Sequence, residues 1–99
     1  MGRGIEFSDR WQINSSGIQA LSHCEQWRIQ VEAVAGIEDL YTASIQHCFW
    51  NEHQEPVWVP QWEEDFESLL EGQVAAMQQT NWLAEHPEEQ VHLLFQVGN

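Results

Sequence analysis

Ninety-nine residues make one domain with a single modest core, and the 42% apolar content suffices to fill it without disulfide or metal. Sixteen carboxylates stand against three arginines and no lysine, for a formal net charge of −13. That charge repels phosphate backbones and anionic lipid, which argues against direct nucleic-acid binding and membrane docking. No stretch approaches the roughly 18 uninterrupted apolar residues of a membrane span.

Residues 1–99 are read as a single acidic domain. The opening "MGRGIEF", residues 1–7, has no periodic pattern and no apolar secretory core, and fits a vector-derived or disordered leader. Without a secretory signal, Cys24 and Cys48 are expected as free thiols in the reducing cytoplasm. Residues 8–24 allow two readings. "SSGIQALSHCEQ" suits a short serine-capped helix, the favoured one. "RWQIN" and "GIQAL" also suit a hairpin around "NSSG".

The segment "QWRIQVEAV" alternates: Trp27, Ile29, Val31 and Ala33 on one face, Arg28, Gln30 and Glu32 on the other. That is the period of a half-buried strand. A turn at Gly36 leads into "LYTASIQHCFW", a second strand. Tyr41, Ala43, Ile45, His47 and Phe49 face inward, opposed by Thr42, Ser44, Gln46 and Cys48. A polar loop "NEHQEP" precedes a short strand "VWV" that Pro60 is expected to stop.

Beyond Pro60, Trp62, Phe66, Leu69, Leu70, Val74 and Met77 recur at three- and four-residue spacing, which predicts an amphipathic helix. Glu63, Glu64 and Asp65 would occupy its first turn, where the helix dipole favours negative charge. Gly72 costs such a helix about 1 kcal/mol relative to alanine, so it needs tertiary packing. Pro87 ends it by His86. "QVHLLFQV" predicts a last strand, with Val91, Leu93, Phe95 and Val97 inward. The fold class is therefore α+β: a small two-layer domain in which an antiparallel β-meander packs against one long helix and a C-terminal strand returns to the sheet. Its uncovered face would carry Thr42, Ser44, Gln46, Cys48 and Trp50, a surface suited to pairing with a second copy as a homodimer.

"HCFWNEH" and "SHC" concentrate His23, Cys24, His47 and Cys48. Neighbours in a strand point to opposite faces, and the short knuckle spacing of a zinc site is missing, so no metal is expected. Cysteine catalysis needs a base approaching the sulfur from across the fold, and no oxyanion motif accompanies these pairs. No nucleotide-binding, zincin or hydrolase motif occurs, so no catalytic residue and no cofactor is assigned and the reading leans away from an enzyme.

Six tryptophans are many for a chain of this size. Trp27 and Trp62 fit the core, while Trp50 and Trp58 flank the polar loop as candidate interface anchors. The first expectation is a non-enzymatic interaction domain, of the inhibitor, immunity or nucleic-acid-mimic kind, docking on a basic protein. Its contacts would come from Glu63, Glu64, Asp65, Glu67, Glu88, Glu89, Trp50 and Trp58. The alternative is a small-molecule site, or a minor enzyme, in a cleft between sheet and helix lined by Trp27, Tyr41, His47 and Trp62.

Overall fold

The computed structural model describes residues 4–92. Among them, five strands form one antiparallel sheet in chain order: β1 (Trp11–Ile13), β2 (Gly17–Leu21), β3 (Trp27–Ala33), β4 (Tyr41–Trp50) and β5 (Pro56–Phe66). Helix α1 (Leu69–Glu85) crosses one face, and a 3₁₀ turn (Pro87–Glu89) follows it. This is the expected α+β meander under a single helix. The last strand of the sheet, β5, joins before the helix. The strand expected over 90–97 lies outside the described residues from 93 onward.

Inward alternation holds from Trp27 to Val31 and at Ala43 and Ile45, while Ala33, expected inward, is exposed at the end of β3. Trp27, Ile29, Val31, Ala43 and Ile45 are buried, and the register pairs Ile29 with Ile45 and Val31 with Ala43. Gly36 turns β3 toward β4 at φ 80°. Residues 8–24 form the hairpin and not the short helix. Asn14 decides it: its Oδ1 accepts from the Ser16 and Gly17 amides, both at 2.9 Å, closing β1 onto β2. An asparagine side chain that mimics a backbone turn is a hairpin device. Gly17 is required there, because a Cβ would fall 1.9 Å from the Val31 carbonyl oxygen.

Three further expectations are corrected. Residues 4–7 belong to the fold: Phe7 is 1% exposed in the core, and the Glu6 carbonyl accepts from the His23 amide at 2.9 Å. Pro60 does not stop its strand. β5 runs through it because β5 is an edge, where a missing N–H costs the ladder nothing on the outer side. The third concerns the helix, which begins at Leu69, so Glu63, Glu64 and Asp65 lie in β5 and not in a first helical turn. The Ser68 side chain caps it, accepting from the Glu71 amide at 3.0 Å.

α1 also turns its bulk the other way. Its buried residues are Gly72, Ala76, Thr80 and Leu83. Small side chains at four-residue spacing let the helix backbone sit close to the sheet. A Cβ on Gly72 would meet Val31 Cγ1 at 3.1 Å and Ala43 Cβ at 3.4 Å. Leu70, Val74 and Trp82 are left 66%, 45% and 41% exposed.

Candidate functional site

Leu70, Val74 and Trp82 fall on one line along α1, because side chains four residues apart stack on a helix surface. That line faces β5. After a bulge at the Ile45/Gln46 register shift, Trp62 pairs with Ile45, Glu64 with Ala43 and Phe66 with Tyr41. The pairing with inward residues puts Trp62, Glu64 and Phe66 on the helix side of the sheet.

Two adjoining concavities of about 500 and 510 Å³ run between strand and helix. Phe66, Ala75 and Gln78 line both; Trp62, Glu64 and Trp82 line one, and Leu70, Glu71 and Val74 the other. The lining combines apolar side chains with glutamines and the carboxylates Glu64 and Glu71. Trp82 is steadied by His86, which stacks on it at 4.2 Å and holds the Trp82 carbonyl through Nδ1 at 2.7 Å.

The sheet face away from α1 has a different chemistry. Arg28 Nε donates to Gln46 at 2.6 Å, Gln46 to Gln30 at 3.4 Å, Gln30 to Gln19 at 3.2 Å, and Gln19 to Gln12 at 3.4 Å. The Arg28 guanidinium lies 4.4 Å over the Trp58 ring. Desolvation lowers the Arg28 pKa from its ordinary value, and the neighbouring Cys48 works the other way. Arg10 pairs with Glu25 at 3.6 Å, and both arginines line a concavity of about 440 Å³ with Gln12, Gln19 and Trp58.

No family model, curated protein or solved structure compared with the chain matches it.

The residues expected to bind a partner do not form one patch. Glu63 and Asp65 project on the open face, and Asp65 accepts from Thr42 Oγ1 at 2.8 Å. Glu64 stands at the groove, and Glu67 is exposed in the turn before α1. Glu88 and Glu89 sit beyond the far end of α1, a helix length of roughly 25 Å away. Trp50, 60% exposed, pairs with Pro56, and Trp58 pairs with Cys48 two register positions along the same face.

The alternative cleft residues lie on the helix side, inside the packing. Trp27 is 3% exposed and stacks on His47 at 4.0 Å, while Tyr41 and Trp62 pack against the core at other register positions. His47 Nδ1 is buried without a hydrogen-bond partner among the described residues. Desolvation, and then His92 nearby, push its pKa below the ordinary 6.5.

His47 and Cys48 point to opposite faces. His23 lies 2.6 Å from Asp9, Cys24 is exposed in a turn, and both thiols are free. Among the described residues no three His, Cys, Asp or Glu side chains gather to hold a metal, and no helix is long and apolar enough to cross a membrane.

Helical spacing alone misses the groove, because it assigns Leu70 and Val74 to the buried stripe. The signal against that assignment is the parallel series Gly72, Ala76 and Thr80, small residues two positions further on.

Proposed function

We propose that the chain is a non-enzymatic protein-interaction domain that docks on a basic protein, in the manner of an inhibitor, immunity protein or nucleic-acid mimic. The observation that carries this reading is the distribution of charge. Glu63, Glu64, Asp65, Glu67 and Glu71 are all exposed along β5 and the start of α1. Of the two arginines among the described residues, Arg10 pairs with Glu25 and Arg28 lies over Trp58. The carboxylates at the β5–α1 junction are therefore left to attract an external cation. Steering by such a field makes association fast and salt-sensitive.

The test is capture from a lysate of the source cells on the immobilised protein, washed at low and then high salt. One basic protein released by salt is expected. Its purified form should bind at least about tenfold more weakly at 300 mM than at 50 mM salt. A partner whose affinity ignores salt, or none at all, overturns the reading.

A second reading, a small-molecule site, is favoured by the concavity beside Arg10, Arg28 and Trp58, which suits a small organic anion with a flat ring. Quenching of tryptophan fluorescence by aromatic carboxylates, abolished in Arg28→Gln, is the expected result. No quenching by any of them removes it.

A further inference from the structure

We propose that the groove between β5 and α1 receives an extended basic segment of the partner protein, which adds as a sixth strand along Trp62–Phe66. The inference rests on the interaction-domain reading and names its site and the shape of what binds.

Among the described strands the two edges of the sheet are unequal. β1 has three residues; β5 has eleven. A long edge presents unpaired backbone donors and acceptors, and natural folds blunt such edges with prolines, bulges and charges. On β5 these devices are divided. Pro56, Pro60 and the bulge fall in its first half. The second half, Trp62–Phe66, contains no proline, so each residue keeps its N–H. Among the described residues its protection is charge: Glu63, Glu64 and Asp65 in succession.

Charge excludes one kind of strand and admits another. A second copy pairing edge to edge would bring these acids against their own set, and like charges across a sheet destabilise the pair. No lysine is available anywhere in the chain to relieve them. A strand carrying lysine or arginine meets the opposite sign. Glu63 and Asp65 await its basic residues on the open face. Its alternate residues would point toward Phe66, Leu70, Val74 and Trp82, where apolar side chains fit. The recognised segment thus alternates basic and apolar residues. This is strand addition, in which main-chain bonds give affinity and pockets for alternate side chains give specificity.

Backbone beyond α1 already meets a β5 side chain at one point. The Gln61 side-chain amide donates to the Val91 carbonyl at 2.6 Å and accepts from the Val91 amide at 2.7 Å. The described chain then leads away from the groove. His92 packs on Phe49 at 5.6 Å, and Phe49 pairs with Val57, in the other half of β5.

The probe is a capped peptide of about eight alternating lysine and valine residues, long enough to span the free half-edge. Backbone amide shifts of the whole chain are followed by NMR, and affinity by calorimetry. Shifts confined to residues 62–66 and 70–82 are expected. N-methylation along the pairing edge of the peptide should weaken binding at least about tenfold, as lost main-chain hydrogen bonds require. Val74→Arg should weaken it at least about fivefold by setting a charge where the peptide's valines would pack, with the folded spectrum retained.

Binding indifferent to N-methylation, or shifts centred elsewhere, overturns strand addition and leaves the basic-partner reading standing. Failure of the peptide to bind while a basic protein is captured does the same. Failure of both removes both.

Discussion

The two faces of this sheet hold together by different means. Under α1, Ile29, Val31, Ala43 and Ile45 are fully buried, and Val31 and Ala43 lie against Gly72. On the open face, glutamines pass amide hydrogen bonds across four strands to Arg28. The covered face excludes water, so each buried large aliphatic side chain contributes about 1.5–3 kcal/mol. The open face exchanges its hydrogen bonds with solvent, and each is worth about 0.5–1.5 kcal/mol at most. Stability therefore resides on one face, while the other can be rebuilt at small cost.

Gly17 should be the exception to this division. It pairs with Glu32 on the open-face side, yet its neighbour is backbone that cannot move aside. Gly17→Ala is expected to cost more than about 3 kcal/mol, beyond ordinary overpacking. Its urea midpoint should fall below that of any variant of the covered face.

Gly72→Val measures how tightly that covered face is packed. It overpacks the helix against Val31, Ala43 and Phe66, with an expected loss of about 1–3 kcal/mol. Its exposed neighbours give the control: Leu70→Ser and Val74→Ser should stay within about 0.5 kcal/mol by the same urea titration.

The rim of the covered face carries a pH dependence. His47 has a folded pKa below its unfolded value near 6.5. Below 6.5 the unfolded chain binds the proton first, so His47's contribution is complete above that pH. It is lost as pH falls from there to the depressed folded value. In His47→Phe, stability measured from pH 8 to 5 should show a smaller decline than the parent chain over that window. An identical profile would refute the assignment.

The smallest effects belong to the open face. Gln30→Ala interrupts the amide series and should cost about 0.5 kcal/mol. Arg28→Lys removes the planar stack on Trp58 at about 0.5–1 kcal/mol. Both are within reach of the same urea titration, run in replicate.

The difference between the faces also governs what can be read from the residues. Strands β3 and β4 are legible because their apolar residues alternate from Trp27 to Ala33 and from Tyr41 to Ile45, before Cys48, Phe49 and Trp50 break the pattern. The helix start is not, because Trp62 and Phe66 are four apart, a spacing that satisfies the strand period of two as well as the helical turn. Only "SLLE" separates the readings: Ser68 caps and Glu71 stands at the third helical position, the spacing of a capping box. The hairpin of residues 11–21 turns on whether the hydrogen bonds of Asn14 outweigh a serine cap.

The groove stays hidden in the sequence because an apolar residue on a helix gives no sign of which way it points. That is decided by Gly72, Ala76 and Thr80, which let the backbone approach and so take the inner side.

The order of the strands has a consequence for how the molecule is made. Each strand pairs with the one just before it in the chain, so every rung of the sheet closes a short loop at small entropic cost. Such a topology favours rapid folding. A chain emerging from the ribosome can zip its hairpins in the order they appear. Helix α1 must reach back, to β3, β4 and β5. Until it arrives, Ile29, Val31, Ala43 and Ile45 face water. The nascent sheet is thus exposed for the time needed to synthesise a single helix.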